Sequence, residues 1–460
     1  MTFTVRIEKV VFGGYGLGFS EDKTCFVLNA FPDDIVQVKV LNTKKNSYFC
    51  EIDKIIQPSP YRGQTRCELS NKCGACDWVN VEYDKQIKLK TQIYNEIFDN
   101  KVSAKHTANS PLEMSGREAD GVFCRNLQVD KSPVVDHYRN KNLFPVKLQN
   151  NKVAIGMYIK NTHTIVEHEH CFLYPSYFKN IVNSVKEWIE VAKVEPYDEI
   201  TGKGVLRHIG IRCSSDFKSN IVILVTRTRK LPFTKQFVNS LLNAFPEIVG
   251  IVQNINASFG NTILGDDTKV LYGNPYLTEI IGKKRFQIHY QAFFQINVLQ
   301  AVNVYRDIAS FINEGEVVID AYSGIGVIGI FIADKAKKVI CIEENVDAIA
   351  SGMLNSKING IDNIIFSNNK TETVIEKLID ECGVDTVVFD PPRKGLEKSI
   401  IHVVARKNIK KVIYMSCNPT TQKRDIQSFL EHGYKLMCLK GYDMFPHTWH
   451  IESLAVLMKE

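Results

Sequence analysis

Four short apolar runs in the last third of the chain constrain its fold more than any other feature. They are "EVVIDAYSGIGVIGIFIA", "KKVICIEEN", "VDTVVFDPPR" and "KKVIYMSC", each followed by a loop and then by helix-like sequence. Strand alternating with helix in this rhythm predicts an α/β region built on a doubly wound, mostly parallel, Rossmann-like sheet. Strands of such a sheet are covered on both faces, so they read as continuous apolar runs rather than as alternating ones. Ligands bind at the carboxyl ends of such strands, and here those ends carry Asp320, Glu343, Asp390 and Cys417.

The first loop carries Gly324, Gly326 and Gly329 at G-x-G-x-x-G spacing, which lets a ligand approach the backbone closely. An acid at the strand end, Asp320, would repel a pyrophosphate but suits a ligand bearing an amino-acid cation. Glu343 lies about twenty residues further on, where a carboxylate accepts bonds from ribose hydroxyls. S-adenosylmethionine fits that combination, and NAD is the rival. Pro391 and Pro392 stiffen the loop after Asp390, and the fold brings Asp390 and Cys417 to one rim.

At 460 residues the chain is too long for a single core. Residues 1–58 alternate in the β manner and predict a small antiparallel barrel, with Pro58 and Pro60 as its boundary. Residues 59–282 read as a central mixed α/β domain, opened by a cysteine-rich knot and the helical stretch "VEYDKQIKLKTQIYNEIF". Residues 283–460 form the third domain. The net charge of +6 permits a polyanionic partner without demanding one. No apolar run reaches membrane-spanning length, and the opening "MTFTVRIEKVVFGG" lacks the pattern of a signal peptide, so a cytoplasmic location is expected.

Twelve cysteines in a reducing compartment point to metal binding or chemistry wherever they cluster. Cys67, Cys73 and Cys76 stand in a C-x5-C-x2-C pattern, and Cys171 in "VEHEHCFLYP" is a candidate fourth ligand. Four cysteinates suit zinc or an iron–sulfur cluster; the single C-x2-C pair weakens zinc.

"DPPRKGL", "YMSCNPTTQKRD" and "DMFPHTWHIESLAVL" resemble the three signature stretches of the RNA (uracil-5-)-methyltransferase family, and "YQAFFQIN" resembles its stretch before the cofactor loop. The resemblance implies S-adenosylmethionine as methyl donor, with cofactor contacts at Gln295, Tyr322, Gly324, Gly326, Glu343 and Asp390. It implies Cys417 as nucleophile and Glu452 as base, with Asp390 also orienting the target uracil. It further implies a [4Fe-4S] cluster on Cys67, Cys73, Cys76 and Cys171, and an N-terminal barrel resembling the RNA-binding TRAM domain. Val327 departs from the small polar residue usual after the second loop glycine.

Carbon 5 of uracil is too weak a nucleophile to take a methyl group unaided. A thiolate adding to carbon 6 makes carbon 5 an enolate carbon, and a carboxylate must later remove the carbon-5 proton. Cys417 is therefore expected to have a lowered pKa. His447 and His450 are read as shaping the loop that carries Glu452 rather than as metal ligands. The expected partner is structured RNA, 23S rRNA before the T-loop of tRNA, bound by a monomer. The alternative from another class is an RNA-binding scaffold with an inactive site.

Overall fold

The computed structural model describes residues 1–20, 23–70, 72–99 and 124–459. Five strands, Thr2–Val11, Tyr15–Ser20, Lys23–Leu28, Ile35–Lys44 and Ser47–Gln57, close into a barrel. Their alternate residues Val5, Ile7, Cys25, Val27, Val36, Val38 and Cys50 fill its interior. The barrel is not wholly antiparallel, because Lys23–Leu28 and Ser47–Gln57 run parallel where it closes. Asp34, fully buried, ties the barrel to the segment after it: its carboxylate accepts from the Ser59 amide at 2.7 Å and from Arg62 at 2.7 and 2.8 Å.

The stretch expected as a helix after the cysteine knot is helical over Tyr83–Asp99. Between 141 and 273 lies a six-stranded sheet with the helices Phe178–Val191 and Thr234–Ala244 packed against it. The strand pair Tyr276–Ile281 and Lys284–His289 then leads to the last region.

That region holds the expected doubly wound sheet. Its strand order is Ile364–Asn368, Lys338–Glu343, Val317–Ala321, Thr386–Phe389, Lys411–Ser416, Glu452–Lys459, Tyr434–Tyr442 and Cys124–Asp130. The first five run parallel, and Glu452–Lys459 enters antiparallel beside Lys411–Ser416. The outermost strand, Cys124–Asp130, comes from the stretch read as the central domain, so that stretch and the last share one sheet. Strand order reverses at Val317–Ala321, which opens a crevice between the loops after it and after Thr386–Phe389. No helix among the described residues is long and apolar enough to cross a membrane.

Candidate active site

The sheet delivers three reactive side chains to one rim. Lys411–Ser416 is buried throughout and ends at Ser416, so Cys417 is the first residue beyond the ladder. Asn418 then caps the helix Pro419–Glu431, its side chain accepting from the Thr420 amide, and Pro419 occupies the first turn, where a missing N–H costs nothing. The "S-C-N-P" run is thus a strand end, a thiol and a helix start with no spare residue between them. Ser416 pairs with Ser453 across the antiparallel strand, which places Glu452 opposite Cys417 on the next rung. Asp390 follows the parallel neighbour Thr386–Phe389.

Electrostatics overturns one expectation. Burial, then the carboxyls of Glu452 and Asp390, push the Cys417 thiol up to about 11 instead of lowering it, with Arg393 the opposing cation. Burial raises Asp390 to about 7. Burial, reinforced by Asp390 and opposed by Arg393, holds Glu452 well above the usual carboxylate range. Glu452 is 3% exposed and its Oε2 has no hydrogen-bond partner. Burial and the neighbouring carboxyls thus favour the neutral forms of thiol and carboxyl, and Arg393 is the residue placed to favour their charged forms.

Sequence reading missed the supports of this rim. Gln422 donates to the carbonyls of Tyr414 at 2.7 Å and Ser453 at 3.2 Å, binding the two strands that present Cys417 and Glu452. The Asp425 carboxylate accepts from the Leu396 amide and the Tyr414 hydroxyl, both at 2.8 Å, and fixes the "DPPRKGL" loop. Asn418 and Thr421 donate to the Arg393 carbonyl at 3.1 and 3.3 Å. The available signal was spacing: Asn418, Gln422 and Asp425 recur at i, i+4 and i+7, one helix face.

Of the cofactor candidates, Tyr322, Gly324, Gly326 and Glu343 gather at the glycine loop. Tyr322, Gly324 and Gly326 all take positive φ, at 61°, 54° and 74°. A Cβ on Gly326 would meet the Phe366 ring at 3.0 Å. Glu343 accepts from the Gly324 amide at 3.0 Å and from the Asn345 amide at 2.9 Å, so its carboxylate sits against the loop. The Tyr322 hydroxyl donates to Glu372 at 2.7 Å. Asp320 is wholly buried; its Oδ2 accepts from the Gly329 amide at 2.8 Å, while Oδ1 has no partner. Gln295 is buried and its carbonyl accepts from Asn140 at 3.1 Å. Arg212, fully buried, donates to the carbonyls of His289, Tyr290 and Ala292 and so holds the segment leading to Gln295. Val327 is buried at the start of the helix Val327–Ile332 and packs in the core.

Cys67, Cys73, Cys76 and Cys171 line one small cavity with His168 and Phe172. Burial raises Cys73 to about 11 and Cys76 well above the ordinary thiol value, and the neighbouring cysteines add to both. The Leu173 amide donates to the Cys171 sulfur at 3.5 Å. Among the described residues no three His, Cys, Asp or Glu side chains are spaced to hold a single metal ion. A preformed tetrahedral ion site, with sulfurs about 2.3 Å from one centre, is therefore not what the four thiols make.

A family model described as tRNA (Uracil-5-)-methyltransferase matches residues 264–460. An "uncharacterized RNA methyltransferase" of Fusobacterium nucleatum is 35% identical over 99% of this chain and 95% of its own length. Another, of Clostridium tetani, is 33% identical over 99% of this chain and 96% of its own. The chain belongs to the RNA (uracil-5-)-methyltransferase family and is an RNA methyltransferase. The fold agrees: the crystal structure of a Pyrococcus abyssi tRNA (uracil-54, C5)-methyltransferase in complex with S-adenosyl-L-homocysteine aligns with a TM-score of 0.77 at 24% identity, covering 99% of this chain and 100% of that one. Family membership takes the glycine loop away from NAD.

Proposed function

We propose that this methyltransferase uses S-adenosylmethionine to form 5-methyluridine in structured RNA through a covalent Cys417 adduct. The observation that carries the reading is the apposition of Cys417 and Glu452 one rung past Ser416–Ser453, with Asp390 beside them. Cys417 adds through sulfur to carbon 6, and its proton passes to a neighbouring base; Asp390, near 7, is ionised in part at neutral pH and suits that task. Carbon 5 then takes the methyl group as the sulfonium–methyl bond breaks. Glu452, acting as the carboxylate, removes the carbon-5 proton; the electron pair restores the carbon 5–carbon 6 double bond as the carbon 6–sulfur bond breaks, and the Cys417 thiolate so released takes back the proton held by Asp390. A buried carboxylate whose pKa is raised is a stronger base once ionised, and Arg393 favours that ionised state. The target base must leave its stack to reach this rim.

In the same reading, Gln295, Tyr322, Gly324, Gly326 and Asp390 would hold the cofactor, with the Glu343 carboxylate accepting from its ribose hydroxyls. Four cysteines around one cavity, with an amide donating to one sulfur, fit a [4Fe-4S] cluster better than a single ion. Such a cluster supplies cross-linking, since methyl transfer moves no net electrons. The barrel would grip RNA, and large-subunit rRNA is the favoured substrate. A tRNA T-loop uridine is the second reading, favoured by the description of the matching family model. The intact set of Cys417, Glu452 and Asp390 counts against an inactive scaffold. Tritium release from RNA labelled at carbon 5 of uridine tests the proposal, using unmodified rRNA and tRNA transcripts. Release from one class, abolished by Cys417→Ala, supports it; no release from either overturns it.

A further inference from the structure

The loop Asp443–Ile451 carries the chain from one sheet strand to Glu452, and it touches the barrel end, the cysteine-rich segment and the start of the central sheet region. Its aromatic Trp449 packs edge-on against Phe12 of the barrel at 5.0 Å between ring centroids. The Pro446 carbonyl accepts from the Tyr138 hydroxyl at 3.0 Å. His447 is the hub. It is 1% exposed and holds φ at 67°, in the left-handed region that is uncommon for residues other than glycine.

Its surroundings are specific. The His447 carbonyl accepts from the amides of Asp77 and Trp78 at 3.0 and 2.9 Å, directly after Cys76 in the chain. The His447 amide donates to Gln86 Oε1 at 2.8 Å, which fixes the orientation of the Gln86 amide. Gln86 Nε2 also donates to the carbonyls of Trp78 and Val81 and lies 3.2 Å from His447 Nδ1. Nδ1 therefore faces a donor, and the proton belongs on Nε2, which stands 2.7 Å from Asp136 Oδ1. Arg66, next to Cys67, donates to the other oxygen of Asp136 at 2.6 Å.

We propose that His447 is a positioning residue for proton removal: through Asp136, Gln86 and the 77–78 amides, the cysteine-rich segment sets where Glu452 stands. This rests on the reading of Glu452 as the base. Cys417 hangs from a different strand and helix, so addition to carbon 6 and methyl transfer do not depend on His447. Only loss of the carbon-5 proton does, and with it release of the enzyme from the RNA.

The test separates these steps. His447→Asn keeps a residue that tolerates positive φ but cannot bridge to Asp136, and Asp136→Ala removes the acceptor. With ordinary substrate RNA, either variant should accumulate a methyl-labelled, SDS-stable protein–RNA adduct. Turnover should fall about 10- to 100-fold while KM for RNA and cofactor stays within about twofold. With 5-fluorouridine RNA, where no proton is available to remove, trapping should proceed at the wild-type rate. Wild-type turnover in both variants, or parallel loss of trapping and turnover, overturns the proposal. A wild type that traps no 5-fluorouridine RNA overturns the catalytic reading itself and the proposal with it. Should His447→Asn fail to fold, Asp136→Ala decides alone.

Discussion

Cys417 and Glu452 face each other across two antiparallel strands, on the rung beyond the Ser416–Ser453 pair. Opposed positions of this kind bring Cβ atoms to about 5 Å. Burial, then the Glu452 and Asp390 carboxyls, raise the Cys417 thiol, while burial and Asp390 raise Glu452, so both positions favour their neutral forms.

Replacing Glu452 by Gln removes one of the groups that raise Cys417. The thiol should then titrate at lower pH, and alkylation by iodoacetamide at pH 8 should quicken roughly 3- to 10-fold. The pH profile of alkylation, compared between wild type and variant, checks this. An unchanged or slower profile would show that the two groups do not sense each other.

Asp390 has a folded pKa raised to about 7, above its unfolded value. The native state thus holds this proton more tightly than the unfolded chain does. Its contribution is favourable below the unfolded pKa of about 4 and is lost as pH rises through about 7. Asp390→Asn should therefore raise the urea midpoint at pH 8 and leave it nearly unchanged at pH 4. Equal shifts at both pH values would contradict this.

Gly329 packs its helix against the sheet so closely that an added Cβ would stand 2.6 Å from Cys341 Sγ and 3.1 Å from Asp320 Oδ2. Gly329→Ala should lower stability by about 1–3 kcal/mol and weaken S-adenosylmethionine binding, since the glycine loop sits on that helix. Adding Cys341→Ala should recover part of both losses. Calorimetric titration and thermal melting of the two single variants and the double variant measure the coupling.

Lys90 and Asp443 form an ion pair at 2.5 Å with both side chains fully buried, and Lys90 also donates to the Phe445 carbonyl at 3.1 Å. Lys90→Met would strand the carboxylate with only the Tyr83 hydroxyl, at 2.9 Å, for company. A loss of about 3–5 kcal/mol is expected. Denaturant titration checks it, and a change below about 1 kcal/mol would mean that the buried pair adds little over a well-packed apolar side chain.

The parallel strands were legible because burial on both faces leaves unbroken apolar runs such as Val317–Ala321, and the barrel because one buried face leaves alternation. Cys417 and Asp390 were legible as strand ends on one rim. The direction of the Cys417 pKa was not, because it depends first on burial and then on two carboxyls that only the tertiary fold brings beside the thiol. The reading of His447 as a loop-shaping residue left out Gln86 and Asp136, since partners more than three hundred residues away leave no local spacing to detect. The edge strand Cys124–Asp130 escaped for the same reason: strand propensity is local, but the choice of sheet is made by tertiary packing.

That edge strand also bears on how the protein is made. Its partner, Tyr434–Tyr442, leaves the ribosome more than three hundred residues later, and Glu452–Lys459 emerges after that. The rim that carries Cys417 and Glu452 is therefore assembled only after residue 452 has emerged, and until Tyr434–Tyr442 is made Cys124–Asp130 has no ladder to join. A nascent chain stalled before residue 434 would present an open sheet edge along Lys411–Ser416, the kind of surface that chaperones hold and that aggregation templates on. Reactivity at Cys417 would thus arrive together with the closing of that edge.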